Sequence, residues 1–143
     1  MFRIEFTDAQ PELQEEGWYG LGGRVTIGDH VEEFLASLSL WNREQYEQHW
    51  REAAVRLLNG EERTAFFTSA FQFWWAMWQD DGDIRVHQEL LFADRLRELS
   101  ESWDVRCVPY KLLQDYRRTT EEGEAISEWR LGIGDIEMFL AEQ

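Results

Sequence analysis

A chain of 143 residues with 43% apolar and 15% aromatic side chains has the size of one domain, expected over 1–143, and enough apolar surface to bury a core, which excludes a disordered chain. Its 29 acidic and 14 basic residues leave a formal net charge of −15, beyond the roughly 2–8 of a small soluble domain. Such a field repels nucleic acid and anionic membranes and draws in a cationic protein partner. No run of about 18 apolar residues is present to span a bilayer. The first six residues lack the sustained apolar stretch of a signal peptide, so a cytoplasmic protein is expected. Cys107 is the single cysteine, which excludes an internal disulfide and argues against a cysteine-based zinc site.

Along the chain, Phe2, Ile4 and Phe6 alternate with Arg3 and Glu5, the pattern of a half-buried strand. Asp8 to Gly17 is polar and acidic and reads as a loop. Trp18 to Ile27 reads as a strand opened by several glycines, which are expected to serve strand irregularity. Asp29 to Leu40 fits two periods. Val31, Phe34, Leu35 and Leu38 are spaced for a helix, with Asp29 and Glu32 placed for a capping box, while Phe34, Ala36, Leu38 and Leu40 alternate as in a strand. The local pattern slightly favours the helix.

Asn42 to Asn59 is the clearest helix. Tyr46, Trp50, Ala53, Ala54, Leu57 and Leu58 form one apolar stripe. Asn42 is a good N-cap with Gln45 as its box partner, and Asn59-Gly60 supplies a left-handed stop. At about 1.5 Å per residue the helix is roughly 25 Å long. A strand over Thr64 to Thr68 follows. Pattern is weak over Ala93 to Thr120, with a hint of a short helix at Leu91, Arg95, Leu96 and Leu99 and of an extended run from Trp103 to Tyr110. Glu121-Glu122-Gly123-Glu124 reads as an acidic turn, Ile126 to Leu131 as a strand, and Asp135 to Leu140 as a closing helix.

The most specific local signal is Asp81-Gly82 between two aromatic-rich runs, since a two-residue type I′ hairpin turn needs positive φ at both central positions. The register then pairs Asp80 with Asp83, Gln79 with Ile84, Trp78 with Arg85, Met77 with Val86, Trp75 with Gln88, Phe73 with Leu90 and Phe71 with Phe92. One face carries Phe71, Phe73, Trp75, Met77, Val86, Leu90 and Phe92 and must be core. The other carries Trp74, Trp78, Arg85, His87, Glu89 and Leu91, with Trp78 placed for a cation–π contact to Arg85. Either the long helix covers this second face or it is kept for a partner.

Chemistry is sparse. Asp80, Asp81, Asp83 and His87 are the best metal-ligating constellation, but aspartates flanking a tight turn serve their own backbone, and His87 lies roughly 13 Å along the strand from the tip. His49 sits at the edge of the helical stripe and is expected to be structural. No nucleophile elbow and no phosphate loop is present. No metal, cofactor or catalytic residue is called for.

Several stretches taken in order carry a resemblance. They are Gly23-Arg24-Val25-Thr26-Ile27-Gly28-Asp29, Phe34, Leu38-Ser39-Leu40-Trp41, Tyr46 and Trp50 on the helix, Thr64-Ala65-Phe66-Phe67-Thr68-Ser69, and Ile126-Ser127-Glu128-Trp129 ahead of Asp135-Ile136. Over roughly residues 23–140 the chain resembles the immunity proteins of bacterial contact-dependent growth inhibition systems (CdiI-like). The resemblance implies a cytosolic, non-enzymatic protein that blocks a cognate CdiA C-terminal toxin domain, often a nuclease. It also implies an extended segment over Asp29 to Trp41, against the local pattern. The charge agrees independently, because a nuclease site that binds phosphates is basic.

The expected architecture is α+β: an antiparallel sheet of about five or six strands, the long helix packed on it, and a short C-terminal helix. The expected function is stoichiometric occlusion of the toxin's basic active site. Candidate toxin contacts are Asp80, Asp81, Asp83, Glu121, Glu122 and Glu124, with Trp74 and Trp78 as aromatic anchors. Two rivals stand beside this reading: a metal-dependent hydrolase using Asp80, Asp83 and His87, and an adaptor that oligomerises through its aromatic face.

Overall fold

The computed structural model describes residues 1–39, 41–69, 73–90, 110 and 113–143. Within them the α+β class holds, but the strands divide between two antiparallel sheets of four. In the first, β3 (Tyr19–Ile27) is central. It is flanked by β1 (Phe2–Phe6) and the short β2 (Glu12–Leu13) on one side and by β4 (His30–Ser37) on the other. The second runs β5 (Arg63–Ser69), β6 (Phe73–Asp80), β7 (Asp83–Leu90) and β8 (Trp129–Gly132) in order. Helix α1 (Arg43–Leu58) and the closing helix α2 (Ile133–Ala141) complete the described elements. The stretches expected as a short helix near Leu91 to Leu99 and as an extended run from Trp103 onward lie outside the described residues, apart from Tyr110.

β4 is a strand, as the resemblance implied and the local pattern did not. It pairs with β3 along its whole length, from Gly20 with Ser37 to Ile27 with His30. That register leaves Gly28-Asp29 as a two-residue loop, and Gly28 takes φ +61° at its first position, the arrangement of a type II′ turn. A second glycine is required at Gly23. An added Cβ there would lie 2.3 Å from the Phe34 ring and 2.6 Å from the Glu5 carbonyl oxygen.

The core lies where the sheets and α1 meet. Phe2 packs on Phe66 and Phe6 on Trp50, with ring centroids 5.1 and 4.9 Å apart. α1 begins with the expected capping box: the Asn42 side chain accepts from the Gln45 N–H, and Gln45 Oε1 from the Asn42 N–H, both at 2.9 Å. Gly60, at φ +88°, follows its end. Tyr46, Trp50, Ala53, Ala54 and Leu57 of the stripe are buried, but Leu58 is 41% exposed.

α1 lies along β5, an edge strand with an unpaired row of backbone groups. Its side chains close that edge. The Phe67 N–H donates to His49 Nε2 at 2.9 Å, and Trp50 Nε1 donates to the Phe67 carbonyl at 2.7 Å. Arg56 donates to the Arg63 carbonyl at 3.2 Å, and Thr64 Oγ1 returns a bond to the Ala53 carbonyl at 2.8 Å. To accept from Phe67, His49 must be neutral at Nε2, and burial holds its pKa down to about 3, against an ordinary 6.5.

Two predictions follow from this packing. Gly23→Ala forces backbone or the Phe34 ring to move, so a denaturant melt should show a loss of about 1–3 kcal/mol. For His49, the unfolded chain takes up a proton near pH 6.5 while the folded chain does not until about pH 3. The stability its neutrality supports is present above about pH 6.5 and lost as pH falls toward 3. Between about pH 6 and 5, before most carboxylates titrate, melts should lose stability with the slope of one extra proton bound on unfolding. His49→Gln, which accepts from Phe67 without titrating, should flatten that slope. An unchanged slope would show that His49 is not the group responsible.

Candidate partner-binding surface

The acidic hairpin forms as its sequence dictates. Asp80 faces Asp83, Gln79 Ile84, Trp78 Arg85, Met77 Val86, Trp75 Gln88 and Phe73 Leu90; the Phe71–Phe92 pair lies outside the described residues. Asp81 and Gly82 take φ +50° and +84°, the positive values a type I′ turn needs. The tip is braced from beside: the Ile133 N–H donates to the Gly82 carbonyl at 3.0 Å, and Asp83 stands opposite Gly132 of β8. Asp80, Asp81 and Asp83 are exposed. Asp83 lies 3.9 Å from Arg85 and 3.8 Å from Arg130, while among the described residues Asp80 and Asp81 enter no ion pair.

Glu121, Glu122 and Glu124 sit on a second exposed turn. It is closed by bonds from the Thr120 N–H to the Glu124 carbonyl (2.8 Å), from the Gly123 N–H to the Thr120 carbonyl (2.9 Å) and from the Ile126 N–H to the Arg118 carbonyl (2.9 Å). Gly123 supplies φ +83°. None of the three glutamates is ion-paired among the described residues. Among the described residues no hydrogen bond or ion pair joins the two acidic turns.

The aromatic anchors are not on the surface. Trp74 is 1% and Trp78 7% exposed, so the second face of the hairpin is covered, and neither ring is offered to a partner. The cover on Trp78 is the chain around Gln114 and Tyr116, not α1. Trp78 Nε1 donates to the Gln114 carbonyl at 3.0 Å, and its ring lies 5.8 Å from Tyr116. Trp74 packs on Phe67, its cross-strand neighbour, with centroids 5.3 Å apart. The expected Trp78–Arg85 contact is replaced: the Arg85 guanidinium lies 4.9 Å over the Tyr116 ring. On the opposite face Trp75, Met77 and Val86 are buried as expected, but Leu90, at the end of the sheet, is 56% exposed.

His87 is fully buried and is not gathered with the aspartates. Its Nε2 lies 3.0 Å from Glu128 Oε1, which also accepts from the Tyr116 hydroxyl. Burial works against the charge of Glu128, but hydrogen bonds from Tyr116 and His87 and the nearby Arg85 guanidinium outweigh it, holding its carboxyl below the ordinary range. An ionised Glu128 makes His87 Nε2 the donor. The metal-dependent hydrolase reading required Asp80, Asp83 and His87 together, and the fold instead commits His87 to Glu128.

Sequence reasoning missed this Tyr116–Glu128–His87 cluster. A carboxylate inside an otherwise apolar alternation, Ile126, Glu128, Trp129 and Leu131, was the available signal, and β8 pairing on β7 brings it beside His87. Tyr116→Phe removes one of the bonds that fasten the 113–128 segment to the sheet. Hydrogen exchange should show its largest acceleration in that segment, with about 1 kcal/mol lost globally. Unchanged exchange would mean that Tyr116 does not hold it.

Residues 36–139 match the family model of the CdiI N-terminal domain. The immunity protein CdiI of Enterobacter cloacae subsp. cloacae is 23% identical over 145 aligned positions, covering 95% of this chain and 94% of that protein. The fold is shared with a chain of the solved CdiA-CT/CdiI toxin and immunity complex from Enterobacter cloacae. That likeness has a TM-score of 0.82 at 21% identity, covering 99% of this chain and 97% of the other.

Proposed function

This chain belongs to the CdiI family, and on that premise we propose that it is an immunity protein that binds and neutralises a cognate CdiA C-terminal toxin domain. The observation that carries the proposal is the family match together with the near full-length relation to an immunity protein. It acts as a stoichiometric inhibitor, not as an enzyme. The toxin is a nuclease, and inhibition occludes its basic active site. A net charge of −15 supports that chemistry, since an acidic inhibitor associates quickly with a phosphate-binding groove. The protein acts in the cytoplasm of the cell it protects; among the described residues no helix is long and apolar enough to cross a membrane.

The contacts are assigned to the two exposed acidic turns, Asp80, Asp81 and Asp83 on one and Glu121, Glu122 and Glu124 on the other. Trp74 and Trp78 are left out because both are buried.

Co-expression with its cognate toxin domain should keep cells growing. In solution, nuclease activity should fall linearly to zero at one equivalent of this chain, and affinity should drop as salt rises from about 0.05 to about 0.5 M. Complete inhibition by a small fraction of an equivalent would instead indicate turnover. Asp80→Asn, Asp81→Asn and Asp83→Asn together keep the turn, since Asn tolerates positive φ, and should slow association on the order of tenfold. Glu121→Gln, Glu122→Gln and Glu124→Gln make the matching test of the second turn. Unchanged association for a set at low salt removes that turn from the interface.

A further inference from the structure

Beside the Asp80–Asp83 tip, the end of α1 and the start of α2 leave an open groove of about 530 Å³. Its lining mixes apolar Leu57, Leu58 and Ile133 with acidic Glu62, Asp80 and Asp81, and among the described residues no basic side chain lines it. The parts are held in place. Gln79 Nε2 donates to the Leu57 carbonyl at 2.8 Å and to the Glu61 carbonyl at 2.6 Å, fastening the hairpin to the end of α1. The Ile133 methyl lies within 3.5 Å of where a Cβ on Gly82 would be.

The charged side chains that line the groove among the described residues are all acidic. α1 points its carboxyl end, the negative end of its dipole, toward it. The basic residue in the last turn of α1, Arg56, is turned elsewhere, 3.9 Å over the Tyr110 ring and bonded to the Arg63 carbonyl. Arg63 is held by Asp115 at 2.8 Å. The amino end of α2 is capped by Asp135, which accepts from the Gly132 N–H at 2.9 Å and is itself paired with the Met1 amino group at 3.0 Å.

We infer that this groove receives a lysine or arginine side chain of the toxin domain. The aliphatic stem lies on Leu58 and Ile133, and the cationic head lies among Asp80, Asp81 and Glu62. Long basic side chains carry both parts: they bury a hydrocarbon stem while the charged end stays at a polar rim. A groove lined by both apolar and acidic side chains suits that division, and it gives the acidic tip an anchor that Trp74 and Trp78 do not supply. The inference rests on the immunity reading above and adds the chemistry of the toxin residue that docks.

The test is the binding of the cognate toxin domain to Leu58→Arg, which puts a cation in the groove. Val31→Arg makes the same change at an exposed apolar residue of β4 on another face. Leu58→Arg should bind at least about tenfold more weakly than wild type, and Val31→Arg should bind as wild type does. A photo-crosslinking amino acid at position 58 should join the toxin at a segment containing Lys or Arg, whereas one at position 31 should not; this readout also serves if Leu58→Arg misfolds. Wild-type affinity in Leu58→Arg, or no crosslink from position 58 in a complex that does form, overturns the groove and leaves the immunity reading intact. If wild type does not bind the toxin domain, both fall.

Discussion

The outer edge of β5 is the constraint on which the rest of this fold depends. A strand at a sheet edge carries amides and carbonyls that no neighbour satisfies, and leaving them buried and unpaired costs more than a hydrogen bond contributes. Here α1 supplies the missing partners from side chains: His49 for the Phe67 amide, Trp50 for its carbonyl, Arg56 for the Arg63 carbonyl. This fixes the helix in rotation and register against the strand. It also turns Tyr46, Ala53 and Leu57 into the core and brings the carboxyl end of α1 beside the hairpin tip. The surface feature with most to offer a partner is therefore positioned by buried bonds some distance away.

The negative charge is divided by location. Some carboxylates belong to the fold. Glu128 fastens the 113–128 segment, and Asp115 holds Arg63. Asp135 is held below its ordinary range chiefly by the Gly132 amide, against the opposing effect of burial, with help from the amino group of Met1 at 3.0 Å. Others, Asp80 and Asp81 on one turn and Glu121, Glu122 and Glu124 on another, stand on exposed turns with no cationic partner among the described residues. An acidic protein could have neutralised its turns with some of its 14 basic residues. Several of these instead lie on carbonyls and aromatic rings: Arg63 bonds the Leu113 carbonyl and Arg56 lies on Tyr110, while Arg85, on Tyr116, also reaches Asp83 at 3.9 Å.

Much of this was legible in the sequence where a single local rule decides the outcome. Asp81-Gly82 dictated both the turn and the register, and Asn42 with Gln45 dictated the start of α1. The strand at β4 was not legible from its own pattern, because Phe34, Leu35 and Leu38 satisfy a helix as well as a strand; pairing with β3 decides it, a tertiary effect. Gly28-Asp29 was a hairpin signal that the helical spacing obscured. The division of the strands into two sheets rests on long-range packing that periodicity does not encode. The burial of Trp78 has the same origin, since its cover comes from Gln114 and Tyr116, 36 and 38 positions along the chain. The groove beside the tip joins Leu58, Asp81 and Ile133 from three elements, and no linear pattern unites them.

The edge-on packing of Phe2 against Phe139, with centroids 5.1 Å apart, has a consequence for how the molecule comes into being. Both rings are buried, and Phe66 packs against each of them. The first strand thus waits for a partner from the last helix. Closing so long a loop costs little more entropy than closing a shorter one, yet the contact cannot exist until the ribosome has passed residue 139. Until then Phe2 and Phe66 lack one wall of their pocket. The finished core therefore forms only once α2 has emerged from the ribosome, and any surface that depends on it becomes available no earlier.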